Sequence, residues 1–238
     1  MHKSLLFLLG VTLFLNSLSQ KTYKDAIKLN LSGLVVKNIS VQYERKVSKR
    51  ISLAIAYRNL PNGQVPFASS LKSQISNSSI DFDKMNVGSS AFTPEIRFYV
   101  SKKGAMRGFY MAPFASFAKY NTDFPLTFSN RIGIFSGSLK STTGGLQFGS
   151  QFKLSSRFYL DWWIVGPNLG DGKGNVSLAA TLNANEQTAL KDQLANLQKN
   201  VPFSLIESYT VDSNGANLVL NGGWVGLRGL GFNLSFHF

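Results

Sequence analysis

Cysteine is absent from all 238 residues, so the chain holds no disulfide framework and offers no thiol for catalysis or metal binding. Histidine is nearly absent. Of the two, His2 falls in the N-terminal leader described below, and His237 alone cannot build a histidine metal cluster. Acidic residues are few, 12 against 25 lysines and arginines, for a formal net charge of +13. Long apolar runs are missing too: the run from Leu5 to Leu15 is about half of the ~20 residues a membrane-spanning helix needs. Nor does a glycine-rich phosphate loop precede a helix. Gly170-Asp171-Gly172-Lys173-Gly174 lacks the strand–helix context that would give it meaning and reads as a flexible turn.

The N-terminus reads as a leader. Met1-His2-Lys3 is a short basic stretch, Leu5 to Leu15 an apolar one, and Ser17-Leu18-Ser19 supplies small residues before Gln20. A secretory signal peptide over residues 1–19 is expected, with residues 20–238 as the exported chain. An exported all-β chain without disulfides must close its sheet or build a large core. If it enters a membrane it does so as a closed barrel, because open strands leave backbone groups unpaired in lipid.

Period-two alternation supports strands. From Leu230 to Phe238 the even positions are Leu, Phe, Leu, Phe, Phe and the odd ones Gly, Asn, Ser, His. Similar alternation runs through Ile27–Ser32, Ile39–Glu44, Ile51–Tyr57, Phe92–Val100, Leu146–Leu154 and Phe158–Val165. Phe109–Phe117 is apolar on both faces, so its orientation is not legible. Pro94 within its strand suggests an edge or a bulge. These are eight strands. Short turns at 47–50, 102–106 and 155–156 alternate with long loops expected at about 61–89, 120–142 and 167–226. Short turns on one rim and long loops on the other are the anatomy of an up-and-down transmembrane β-barrel. The last strand is expected to close the ring against residues 27–35, its Leu and Phe side chains facing lipid.

Inside the last loop, Asn183 or Asn185 can cap a helix that Pro202 stops, with Leu190, Leu194, Leu197 and Val201 on one face. That stripe is expected to pack on its own loop. On the strands, the inward-facing polar set is Lys28, Gln42, Glu44, Glu95, Arg97, Gln151, Lys153, Tyr159 and Asp161. An eight-stranded barrel is just wide enough for side chains to fill it. Glu44, Glu95 and Asp161 are therefore expected to pair with Arg97, Lys153 and Lys28 as a structural polar plug, in preference to lining a gated pore. A Ser–His–acid hydrolase would need its histidine near the outer rim, and His237 lies beside the opposite one. No catalytic residue, cofactor or metal is assigned. Basic residues gather in the short turns: Arg45, Lys46, Lys49, Arg50, Lys102, Lys103, Arg107 and Arg157. This placement favours an anionic membrane surface over nucleic acid.

Ile39-Ser40-Val41-Gln42-Tyr43-Glu44-Arg45, Thr93-Pro94-Glu95-Ile96-Arg97-Phe98-Tyr99, Arg107-Gly108-Phe109-Tyr110 and the close from Leu227 to Phe238 carry a family resemblance. Over residues 26–119 and 143–238 the chain resembles the small outer-membrane β-barrel proteins of unknown function found in Gram-negative bacteria of the Bacteroides–Flavobacterium kind, barrels of the OmpX and OmpA type. The resemblance implies an eight-stranded barrel in the cell outer membrane. It also implies outer-membrane lipids and the barrel assembly machinery as partners, with the terminal Phe236 and Phe238 as the assembly signal. It assigns no catalytic residue, and Pro94 belongs to its pattern. The expected function is structural or surface-interacting, with an unknown surface or periplasmic partner met through the loops. The alternatives are a narrow pore or transporter, and a soluble exported β-barrel that binds an apolar ligand.

Overall fold

A computed structural model describes residues 23–64, 82–200 and 204–238; the expected signal peptide lies outside them. The elements are β1 (Asp25–Asn30), α1 (Leu31–Val35), β2 (Ile39–Lys46), β3 (Ile51–Gln64), β4 (Asn86–Tyr99), β5 (Gly108–Phe128), β6 (Arg131–Lys153), β7 (Phe158–Ala179), α2 (Ala184–Asn200), β8 (Ile206–Asp212) and β9 (Gly215–His237). One antiparallel sheet in the order β1-β2-β3-β4-β5-β6-β7-β9-β8 holds all nine strands, and β1 also pairs with β9. Eight strands thus form a closed ring, with β8 added to the far part of β9. Pairing runs from Ala26↔His237 to Asn30↔Asn233. The expected closure is present but shorter than residues 27–35. Asn30 accepts a hydrogen bond from the Gly33 amide and caps α1, which turns the chain out of the sheet.

Alternation becomes a two-faced ring. Outward stand Ile27, Val41, Leu53, Ile96, Phe109, Phe152, Phe158 and Leu234, one from each strand and all exposed. Inward stand Lys28, Gln42, Ser52, Arg97, Tyr110, Gln151, Asp161 and Ser235, all buried. Pro94 faces outward on an interior strand, opposite Ile55, and marks neither an edge nor a register shift. The short turns at one rim are as expected. The long loops are not. Residues 120–142 are strand except for Ser129 and Asn130, whose φ values of 43° and 59° make the two-residue hairpin turn that suits twisted antiparallel strands. Within 167–226, β7 continues to Ala179, and α2, β8 and the start of β9 follow. Of 61–89, residues 61–64 and 86–89 are strand, and residues 65–81 are outside those described. The ring therefore carries a tall sheet extension of β5, β6, β7, β9 and β8.

That extension has its own core. Leu190, Leu194 and Leu197 of α2 are buried against Leu126, Phe135, Val176, Leu178 and Leu218 of the sheet. The expected stripe thus packs on its own extension, with Val201 outside the described residues. Asn183 is the cap. Its Oδ1 accepts from the Glu186 amide at 2.9 Å, and a Glu186 carboxylate oxygen accepts from the Asn183 amide at 2.9 Å. The carboxyl of Glu186 is held below its ordinary range, first by that backbone N–H and then by Arg131.

Candidate functional site: the polar interior of the ring

Period two brings the inward charges to one level. Lys28 on β1 lies beside Gln42 on β2, Glu44 beside Ala54 on β3, and Gln151 on β6 beside Asp161 on β7. Alanine, serine and glycine at neighbouring inward positions make room for the long side chains. A Cβ on Gly149 would collide with the ring of Tyr110, its partner across β5 and β6.

Arg97 is the hub. It donates to Glu95, to Asp161 at 2.7 Å, to Glu44 at 3.2 Å and to the Gln42 carbonyl oxygen at 2.8 Å. Lys28 bridges Glu44 and Asp161, the latter at 2.6 Å. Glu44 also accepts from Ser52, from Tyr99 at 2.6 Å and from Gln151 at 2.8 Å. Asp161 accepts from Tyr110 at 2.8 Å, and the Arg97 guanidinium sits 4.4 Å from the centroid of the Tyr110 ring. Glu95 receives a third cation, Arg228. Three carboxylates thus meet three cations in a neutral group in which every carboxylate is held by at least one cation. That is the condition under which buried charge is tolerated. Of these six, the side chains of all but Arg228 are fully buried.

The structure brings together Glu44, Glu95, Arg97, Asp161 and Lys28. It does not bring in Lys153, which is exposed where β6 ends, beside the turn to β7. Tyr159 and His237 stack at that lower end with ring centroids 3.8 Å apart. Phe236 and Phe238 face outward. The residue missed from sequence is Arg228, an even position on a strand whose even positions from Leu230 onward point out. Between Leu227 and Leu230 the faces of β9 exchange: Val225 and Leu227 are exposed below the exchange in number, Leu230 and Phe232 above it. Leu230 takes a φ of 53°, and β7 makes the matching exchange at Ile164, where its register against β6 shifts. The glycines at 229 and 231 were the available signal.

Above the charged group lies a cavity of about 460 Å³. Arg58, Phe114, Tyr120, Trp163, Trp224 and Arg228 contribute to its wall. Arg58 donates to the Tyr120 hydroxyl at 3.2 Å. Arg228 lies over the Trp163 ring, 4.0 Å from its centroid.

The family described as "Protein of unknown function (DUF3575)" matches residues 5–166, which takes in β1 to β6 and the first part of β7. No curated protein matches the chain.

Proposed function

The chain belongs to this family of unknown function, and from that premise we propose that it is an integral outer-membrane β-barrel with a structural or surface-interaction role and no enzymatic activity. One observation carries the reading: large apolar side chains stand outward on every strand of a closed ring whose interior is charged. A protein surrounded by water rarely exposes so continuous an apolar surface, and a sheet in lipid must turn its faces this way. The belt also has borders. On β5 the outward residues from Phe109 to Phe117 span roughly 20–25 Å at the strand tilt of such barrels. Directly above, Lys119, Lys140 and Lys173 stand exposed side by side on β5, β6 and β7. Below, Lys49, Arg50, Lys102, Lys103 and Arg157 are exposed at the short turns.

The barrel's lipid partners are then the bilayer around the belt and the anionic headgroups at the basic rim. Phe236 and Phe238 are the terminal aromatic residues that the assembly machinery reads. The extension is the surface offered to other molecules. The ion-paired interior favours a plug over a conduit, and its charge offers nothing to an apolar ligand inside the ring. Among the described residues, the lumen carboxylates Glu44, Glu95 and Asp161 are each held by cations, which supports a structural role for them.

Envelope fractionation followed by electrophoresis with and without boiling tests the reading. The protein should enter the outer-membrane fraction and run faster unheated. A mature chain that stays monodisperse in buffer without detergent would sink it.

A further inference from the structure

The ring closes unevenly. Five residue pairs join β1 to β9, ending at Asn30↔Asn233. Above them β1 gives way to α1, and β8 takes up the same edge of β9 only between Gly215 and Leu220. At the two ends of the gap, the Phe232 amide donates to the Ser32 hydroxyl and the Asn221 amide to the Leu205 carbonyl, each at 2.9 Å. Between those bonds, residues 222–231 have no strand partner on this side among the described residues. Unpaired backbone at membrane depth is tolerated where it borders a cavity. Such a cavity lies directly behind: residues 226–231 and Ser32, Gly33 and Val36 beside them form part of its wall.

Two chemistries meet at this seam. Inside, the cavity wall carries two guanidinium groups, those of Arg58 and Arg228, and among the described residues no carboxylate. Two buried donors of the lining, Arg228 Nη2 and Trp163 Nε1, have no hydrogen-bond partner, and one acceptor, Asn38 Oδ1, also has none. At the outer lip, Leu31, Leu34, Leu227 and Leu230 are exposed, the last two by 68% and 75%. Leu230 is moreover held at a positive φ, a conformation that a large side chain adopts at an energetic cost and that clusters at functional places.

We propose that the cavity binds the anionic head of a single-chain amphiphile, whose hydrocarbon chain leaves between α1 and the open edge of β9 into the surrounding lipid. The volume of about 460 Å³ fits a headgroup and the first few methylenes, and the guanidinium of Arg58 supplies a charge-assisted hydrogen bond. This assignment rests on the membrane reading above.

Trp163 and Trp224 line the cavity, whereas Trp162, the third tryptophan, points to the belt. The test uses full mature protein carrying Trp162→Phe, folded in a nonionic maltoside detergent at pH 8. Tryptophan fluorescence is titrated with 2-bromododecanoate, its methyl ester and 2-bromopropionate. Saturable quenching by the long acid is expected, with affinity about tenfold or more weaker for the ester and after Arg58→Gln, as loss of a charged hydrogen bond implies. The short acid should bind far more weakly than the long one. Equal quenching by acid and ester, or no change on Arg58→Gln, overturns the proposal. Equal affinity of the short acid reduces the cavity to a small-anion site and overturns it as well. Heat-modifiable migration is read on the same samples. If it is present and the quenching unspecific, this proposal alone fails; if it is absent, the membrane reading fails and takes the proposal with it.

Discussion

Within the ring, β5, β6, β7 and β9 enclose ion pairs; in the extension, the same four strands enclose leucines. Arg97, Glu44 and Asp161 occupy the first interior, and Leu126, Phe135, Leu190 and Leu194 the second. The contrast follows from what lies outside each. In the proposed bilayer segment, apolar surface gains nothing by turning inward, so the interior must cohere through hydrogen bonds and charge, which lipid cannot supply. In water, burying leucine is worth about 1.5–3 kcal/mol per side chain, and the extension folds like an ordinary globular sheet with a helix on it. On the proposed membrane reading, a single strand serves two solvents in succession.

The sharpest way to break this contrast is to remove the hub. Arg97→Ala leaves three carboxylates short of a cation in a buried site, and unfolding in detergent or vesicles should become easier by about 3–5 kcal/mol. An unchanged urea midpoint would mean that the charged interior is not what holds the ring. Leu194→Ala in α2 should cost about 2–5 kcal/mol, but only in the extension. Limited proteolysis should then clip residues 184–212 while the ring keeps its heat-modifiable migration; loss of both together would show one cooperative unit instead of two.

Gly149→Val sharpens the comparison by asking whether the polar interior is packed as tightly as the apolar one. The added side chain meets the Tyr110 ring, so a loss of about 1–3 kcal/mol is expected, measured by the same urea titration. A neutral outcome would indicate slack in the lumen. At the border between the two regions, Lys140 stands between two other lysines. Lys140→Gln should stabilise by about 0.2–1 kcal/mol at low salt, and the gain should shrink as salt is added. The smallest effect concerns the helix cap. Because folding lowers the pKa of Glu186, its contribution is complete above the unfolded-state value and disappears as pH falls through the lower folded value. Protection of the first-turn amides of α2 relative to their intrinsic exchange rates should fall over that acidic range and lose this pH dependence in Glu186→Gln.

The ring was largely legible in the sequence because a face inversion every residue is a strong signal. Ile51–Tyr57, Phe92–Val100 and Leu230–Phe238 declare both their strands and their outward sides. Glu44, Glu95, Arg97 and Asp161 follow from that parity alone. The extension was hidden because its strands are rich in Ser, Gly, Asn and Thr, as at Ser136–Thr143 and Gly170–Asn175, a composition shared with loops. Tyr110 was ambiguous because its strand is apolar on both faces. Lys153 has inward parity, yet a long side chain at the rim reaches water, and parity carries no information on depth. Arg228 was missed because alternation is counted from a fixed origin, and the count slips at Leu230.

The matched slips at Ile164 and Leu230 restrict how a lineage of such chains can change its length. Losing one codon from β7 alone would leave its upper half out of step with β9, while losing one from each would keep the two in step but send Arg228 to the opposite face. Gains or losses of residues in these strands are therefore inherited safely only in pairs within one strand, or beyond the sheet in the turns. Substitutions leave the parity untouched. Descendants of this chain should diverge in letters at the outward positions of β7 and β9 while the spacing from Asp161 to Val176 and from Leu218 to Asn233 keeps its parity.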